Sequence, residues 1–439
     1  MTMTSKPETK EQCFEQLLLG KTVKSEVWLE QIRLEALAHA KALNFPSSRN
    51  DDWRFTDLSA LFTHGFQAVD SYARLKLQDI EKFIIPGAIR LVFVDGSYAA
   101  ELSDLNHAGS GVTVAPLTDR FEDGKVEENF GRHAPYKLDA FVALNTNFFE
   151  DGAWVHVARE TAAPIHLLNV ATKRDNPFAI YPRCMVVMEA ASRATLIEDY
   201  AGLDDGVYFS NTVTEVVLQD RAQLQHVRVQ REDKNAFHVG HSSVVAGKDS
   251  KYASFSIALG ARISRHTLHV KQQGEGAEIH LDGLALIGGR QIADTHTLVD
   301  HAVPRGKSVQ LHKCIADGSS HAIFSGKIMV HVGATGTDSA QSSRNLLLSG
   351  KAHIDTQPQL EIFNDDVSCK HGATIGQIDM DALFFLKSRG LSEERARNLL
   401  THAFAAEIID KIPVPSLVES LGRTILERMN GDRAGGVSK

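Results

Sequence analysis

Near its C-terminal end the chain carries the stretch DDVSCKHGATIG, Asp365 to Gly376, in which Cys369 stands two residues before His371. A thiolate and a neutral imidazole suit soft and borderline metals and sulfur species. On a β-strand, residues two apart share a face, so this spacing would let both side chains meet one ion. Two protein ligands are too few for a closed tetrahedral site. Any metal here needs further ligands, from elsewhere in the fold or from another chain. The competing reading is structural: a small buried cysteine and a turn histidine beside Gly372.

Other chemistries fit less well. Gly20-Lys21-Thr22 has Glu15 where a phosphate-binding loop needs glycine, and no strand precedes it. His266 and His269 are three apart, and His296 and His301 five apart. In a strand an odd separation sends the rings to opposite faces, which leaves solvent-facing sheet histidines as the simpler reading. Gly318 to Ala322, GSSHA, is not a nucleophile elbow. Asp365 and Asp366 are adjacent, so on a strand they diverge and cannot flank one glycosidic bond. A β-helix carbohydrate-active enzyme is the alternative kept open, although no local cluster of acids with a basic partner marks it.

The bulk numbers narrow the class. With 43% hydrophobic and 23% charged residues the composition is that of a globular protein. A net charge of −8 argues against non-specific nucleic-acid binding. No apolar run approaches the roughly 18 residues of a membrane helix, and the polar start MTMTSKPETKEQC lacks a secretory h-region. Cys13, Cys184, Cys314 and Cys369 form no C-x-x-C. Scattered cysteines without a signal imply a reducing compartment, so a cytoplasmic protein is expected.

The elements that would position Cys369 and His371 fall into three zones. From about Lys10 to Phe62 the pattern is helical. Trp28, Leu29, Ile32, Ala36, Leu37 and Ala40 form one stripe, with Ser25 as N-cap, Glu26 in the first turn, and a stop at Pro46. A further helical piece is predicted from Thr56. Strand-like runs begin at Ile89, where IRLVFV closes at an Asp95-Gly96 turn. An acidic, loop-like stretch covers Asp119 to Lys137, and strands dominate from Trp154 to about Phe363. Small-then-apolar pairs recur there: Ala194/Leu196, Ala222/Leu224, Ala253/Phe255, Ala277/Ile279, Val309/Leu311 and Ala352/Ile354. An antiparallel sandwich competes with a parallel solenoid. The solenoid is favoured, with two short-stranded rungs in each repeat. Helices return after Asp379. One ends at Gly390, and a second is capped by Ser392 with Ala396, Leu399, Leu400, Ala403, Phe404 and Ile408 as its stripe. Pro413 and Pro415 break it, and a last helix follows with Leu417, Leu421 and Ile425 on one face. The tail GDRAGGVSK is expected to be disordered.

Residues 346–409 carry TQPQLEI, DDV-C-HGAT-G, LFFLKSRG and A--LL--AF--E. This stretch resembles the C-terminal signature of the SufB/SufD family, the scaffolds of the SUF iron–sulfur cluster assembly system. FSGKIMVHVGATGTDSAQSSRNLLLS extends the likeness upstream, and DDWRFTDLSAL at 51–61 is similar to the N-terminal motif of the SufD branch. SufB-type members carry further cysteines in the β region. Here only Cys184 and Cys314 lie there, in unlike contexts, so the SufD branch is the nearer. The resemblance implies a mainly β fold: a right-handed parallel β-helix core flanked by N-terminal and C-terminal α-helical domains. Its expected bounds are 1–88, 89–376 with an irregular lead-in to about 153, and 377–439.

The resemblance also implies a non-catalytic scaffold that pairs with SufB through the β-helix. The SufC ATPase would bind the C-terminal helices, in the segment from Asp379 to Ile412, with Leu383, Phe384, Leu386, Arg389, Leu399, Leu400 and Phe404 as docking candidates. Cys369 and His371 match residues at the SufB interface, as ligands or sulfur-relay groups. No cofactor is expected to be held stably by the chain alone. A transient iron–sulfur cluster belongs to the complex, which also leaves a place for a flavin. An isolated subunit would have the same β surface available for a homodimer. Neither nucleic acid nor membrane is an expected partner.

Overall fold

The computed structural model describes residues 9–20 and 25–431. Its core is a parallel β-solenoid of about eight turns, flanked by helices at both ends of the chain. The lead-in strands are β1 (Ile89–Val94), β2 (Ser97–Tyr98) and β3 (Val112–Pro116), followed by β4 (Gly152–Val157), β5 (Ile165–Ala171), β6 (Phe178–Ile180) and β7 (Arg183–Met188). Regular coils then follow as strand pairs. They are β8 (Arg193–Gly202) with β9 (Tyr208–Leu218), β10 (Gln223–Arg231) with β11 (Phe237–Ala246), and β12 (Lys251–Ala258) with β13 (Ile263–Gln272). Next come β14 (Glu278–Ile287) with β15 (Ile292–His301), β16 (Lys307–Ala316) with β17 (His321–Val330), and β18 (Thr337–Leu347) with β19 (His353–Ile362). The last strand, β20 (Val367–Gln377), begins a coil that no further strand completes among the described residues.

Even-numbered strands from β8 stack in one sheet, and odd-numbered strands from β7 in the other. Neighbours in these stacks are parallel and in register. The antiparallel sandwich is thereby excluded. The repeat differs from the expectation in one respect. Each stretch of about 30 residues is a single coil of two long strands, because every strand pairs with the second strand on from it rather than the next.

The small-then-apolar pairs mixed two faces. Ala194, Leu224, Tyr252, Ile279, Ser308, Ser339 and Cys369 form one in-register column inside the coil. Phe255 and Leu311 point the other way and pack with the C-terminal helices. A one-residue phase slip exchanges the two faces of a strand, and the drifting period hid it.

Helices cover the outer faces. On the odd-numbered sheet lie α1 (Lys10–Leu17), α2 (Val27–Leu43), the short α4 (Gly124–Asn129) and α5 (Ala140–Phe148), whereas the short α3 (Leu77–Ile80) packs on β1 and β5 of the other sheet. α2 starts at Val27 with Glu26, not Ser25, at the cap and without a side-chain cap bond. α5 arises where a loop-like stretch gives way. Asp139 caps it by accepting from the amides of Phe141 and Val142 at 2.8 and 3.1 Å, and all nine of its residues are buried. The Asp95-Gly96 turn forms as expected. Both residues have positive φ, 50° and 87°, which suits a two-residue hairpin between β1 and β2.

No α-helix starts at Thr56. Asp51–Trp53 and Leu61–Thr63 are 3₁₀ turns, and this segment instead latches onto the second sheet. The buried Thr56 hydroxyl bonds the Asp294 carboxylate, while the Arg265 guanidinium pairs with Asp294 and lies 3.9 Å over the Trp53 ring. Burial opposes the Asp294 charge, but Arg265 and His296 outweigh it and hold the carboxyl well below its usual range. A second latch is Glu215. Its carboxylate pairs with buried Arg183 and accepts from the amides of Gly131, His133 and Ala134 at 3.0, 2.9 and 3.0 Å. Backbone donors can satisfy a buried charge of this kind without further side chains.

At the other end, α6 (Met380–Ser388), α7 (Glu393–Ile409) and α8 (Pro415–Gly431) pack on the first sheet. Ser392 caps α7, and Gly390 takes the left-handed conformation with φ 94°. Pro415 opens α8 as its first residue, a position that needs no amide donor. Leu417, Leu421 and Ile425 are buried together. The stripe of α7 is rotated from the expected one. Ala396, Thr401, Ala405, Ile408 and Ile409 are buried, while Leu399 and Ala403 face outward. The tail from Asp432 lies outside the described residues.

The coil interior is not uniformly apolar. His226 Nε2 lies 2.7 Å from Glu198 Oε1, and its Nδ1 lies 2.9 Å from the Tyr252 hydroxyl. His266 and His301 also turn inward, so the simpler reading of solvent-facing histidines fails for one member of each pair. The alternation argument itself holds, since their partners His269 and His296 lie on the outer face. His301 is held between Gln272 at 2.8 Å and Ser308 at 3.0 Å.

Two outcomes follow from this packing. Trp53→Ala should destabilise the protein by about 3 kcal/mol, the usual loss for a buried aromatic, read as a lower urea midpoint. The second concerns pH. Burial, only partly offset by Asp300, lowers His301 to about 4, and burial lowers His312 to about 3. An unfolded imidazole titrates near 6.5 (about), so the unfolded chain binds more protons between these values. Stability is full above the unfolded value and should fall as pH drops from about 6.5 toward 4. Melting curves across that range should show the slope, and His301→Gln should reduce it while costing stability at pH 7.

Candidate functional site

Cys369 and His371 lie on β20, the edge strand of its sheet. In-register pairing places Cys369 beside Ser339 and His371 beside Gln341. Both belong to inward-facing columns, so the two side chains share a face as their spacing implies. One column runs Leu196, His226, Ser254, Leu281, Gln310, Gln341, His371, and the other ends Ser308, Ser339, Cys369. Toward the last coils the Cys369 column changes from mostly apolar to polar, and the His371 column from mixed to wholly polar.

The end of the solenoid is open. β19 and β20 each have one unpaired edge. Ile362 and Ile375, in inward-facing positions, and Phe363 beside them are exposed because no further coil covers them. On the outer face of this sheet, opposite the inward columns, runs a groove of about 460 Å³ whose lining includes His280, Asp282, Arg344, Lys370 and Lys411. Lys411 pairs with Asp282 at 3.0 Å, and Arg344 with Glu407 at 3.2 Å.

Cys369 is half-buried, unlike Cys13, Cys184 and Cys314, which are fully buried. Burial raises its thiol, and the Asp338 charge adds to this. It is therefore a protonated thiol in the free chain. A metal or a new positive neighbour would have to displace that proton. Both polar atoms of the Gln341 amide are buried and unpartnered, as are Gln310 Nε2, Asn345 Oδ1 and Thr356 Oγ1. Buried polar atoms are normally satisfied, so this cluster beneath His371 is suited to polar contents. Among the described residues, Cys369 and His371 gather no third histidine, cysteine or carboxylate into a metal-binding group.

The docking candidates divide by exposure. Leu383 is 2% exposed and belongs to the helix–sheet core. Leu386, Leu400 and Phe404 are half-buried against the same core. Phe384 is 74% exposed, Leu399 is 48% exposed, and Arg389 lies on the surface with its guanidinium 5.2 Å over Phe385. Two further exposed apolar residues, Met380 and Phe385, join Phe384 on α6 and were not singled out from sequence. The run LFFLK already held that signal, since only two of its four apolar residues can face one core.

Sequence reasoning also missed Lys313. Its buried ammonium donates to the Phe404 carbonyl at 2.8 Å, pairs with Glu407 and lies 4.0 Å over the Phe404 ring. The Lys313 hydrogen bond is the main reason that Glu407 stays below the usual carboxylate range. This bolt ties α7 to β16. A lysine inside the apolar run LHKCIA was its only sequence trace.

Two family descriptions match the chain. The SufBD core domain of SUF-system FeS cluster assembly covers residues 169–404, more than half of it. The SufBD protein N-terminal region covers residues 14–166. An iron–sulfur cluster assembly SufBD family protein of Synechocystis is 38% identical over 391 residues, 86% of each chain. The iron–sulfur cluster assembly protein SufD of Escherichia coli is 30% identical, over 88% of this chain and 90% of its own. The SufD of Bacillus subtilis is 25% identical, over 91% and 94%. With the core description covering more than half of the chain and the N-terminal region matched before it, the chain belongs to the SufBD family of SUF-system iron–sulfur cluster assembly proteins.

Proposed function

We propose that this protein is a SufD-type, non-catalytic scaffold subunit. It pairs through the open end of its solenoid with a related β-solenoid chain, the SufB type. The observation that carries the reading is the placement of Cys369 and His371 on the unpaired edge strand at that open end. An uncovered sheet edge is a template for strand addition. A second chain laid along β19 or β20 would bring its own side chains to the polar columns and supply the missing ligands. The nascent iron–sulfur cluster is then cargo held briefly at the seam. A flavin, if the assembly uses one, belongs to the complex and not to this chain.

The family match favours this reading over a carbohydrate-active enzyme. Among the described residues no helix is long and apolar enough to cross a membrane, and the cytoplasm is the proposed place of work. The exposed face of α6, with Met380, Phe384 and Phe385, is the proposed seat of the SufC-type ATPase, extended by Arg389 and Leu399. Leu383, Leu386, Leu400 and Phe404 hold that face in place from beneath. In isolation, the open end offers the same edge to a second copy of the chain.

His371→Ala should change stability by less than about 0.5 kcal/mol, as surface substitutions do, and should leave complex formation intact. Iron and sulfide bound to the complex after anaerobic co-expression should fall to near background. Full cluster content in that variant would remove His371 from the mechanism. Phe384→Glu should weaken ATPase binding by about 30-fold, the loss of an aromatic hot spot of about 2 kcal/mol. Surface plasmon resonance on purified subunits reads this directly, and an unchanged affinity would move the docking surface elsewhere.

A further inference from the structure

The sheet opposite β20 carries a second set of metal-type ligands. His321 opens β17 and His353 opens β19, and the two are partners in register. Alternation along these strands turns Ala322 and Ile354 into the coil, so His321 and His353 stand on the outer face. Asp355, two residues after His353, shares that face. The two rings are 4.9 Å apart between centroids. Asp355 Oδ2 lies 2.7 Å from His321 Nε2 and 3.3 Å from His353 Nε2. One donor atom from each residue falls within 4.8 Å of the others. Ligands of a tetrahedral ion with bonds near 2.0–2.1 Å are about 3.3 Å apart, so small side-chain rotations suffice.

We propose that His321, His353 and Asp355 form a binding site for a borderline divalent transition metal. Two imidazoles and one carboxylate on one face, with open positions, suit ferrous iron and its first-row neighbours better than calcium or magnesium. The next strand inward places Ile292 beside His321, which adds no donor. Among the described residues no strand pairs beyond β19, so the remaining positions face outward, toward water or a ligand brought by a partner. Asp355 and His321 are mostly buried, whereas the His353 side chain is 67% exposed. That arrangement gives two fixed ligands and one that can swing to admit the ion. Without metal, His321 and Asp355 are joined by a hydrogen bond and His353 stands at ion-pair distance from the same carboxylate oxygen, and the ion takes the place of the proton between His321 and Asp355. The choice of ferrous iron rests on the assembly reading above. The site itself does not, and it lies on the opposite sheet from Cys369 and His371.

The test uses the untagged full chain carrying Cys369→Ser and His371→Ala, so that the other candidate donors are gone. Titration with Co²⁺ without oxygen should give visible d–d absorption that saturates at one ion per chain. His353→Ala and the near-isosteric Asp355→Asn should each weaken that binding at least tenfold, with circular dichroism unchanged. Ferrous iron added to the Co²⁺ form should bleach the band by displacement. Absence of the band with the triad intact, or equal Co²⁺ affinity in both variants, would overturn the site. A band that ferrous iron cannot displace would overturn the assignment to iron. Each of these results leaves the role of His371 to be judged on its own.

Discussion

Each coil of this solenoid satisfies the backbone of the coil before it, and the last coil has nothing to satisfy it. Parallel pairing in register runs through both sheets and then stops at β19 and β20. Inside the stack, every strand has partners on both sides, and an inward residue stacks on its equivalents in neighbouring coils. At the end these rules leave a row of free amides and carbonyls and uncovered inward residues. Natural edges of this length are usually blunted by charge, proline or a bulge. Here β19 carries Pro358, Asp355 and Glu361, and β20 carries Lys370, while the inward side of β20 presents a thiol, an imidazole and Ile375.

The two helical regions do not cover that end. α1, α2 and α5 dock on the outer face of one sheet through a large aromatic and aliphatic cluster, with the strand-borne ion pairs Arg183 with Glu215 and Arg265 with Asp294 buried beneath the N-terminal region. The C-terminal helices dock on the other sheet through an apolar cluster and the Lys313 bolt. A buried ion pair adds little net stability over a good apolar contact, but losing one partner is costly. The N-terminal region closes over the first two pairs, where Thr56 bonds Asp294 and the amides of Gly131, His133 and Ala134 bond Glu215. The exposed aromatic face of α6 sits on helices that the Lys313 bolt ties to β16.

Much of this was legible in the residues. The helical stripes, the Asp95-Gly96 turn, the Ser392 and Gly390 caps and the solenoid in place of a sandwich all follow from local periodicity and turn chemistry. Two things escaped. The first was the phase of the strands, because short apolar runs such as KYASF look alike whichever face is buried. The second was any contact made across the fold. Thr56 scored as helical until Asp294, 238 residues away, claimed its hydroxyl. His321 and His353 are 32 residues apart (Asp355, 34) in sequence, too far for any motif spacing to link them.

What the sequence determined by itself is the set of side chains with metal and sulfur chemistry, and the fact that Cys369 and His371 share a strand face. That much depends only on residue type and the two-residue period of extended chain. Tertiary structure alone decided that this face closes onto the polar end of a stack, that the strand bearing it is an edge, and which of the apolar C-terminal residues remain free. Those outcomes depend on which coil is last and on which sheet face each helix covers, and both are set by pairings across tens to hundreds of residues.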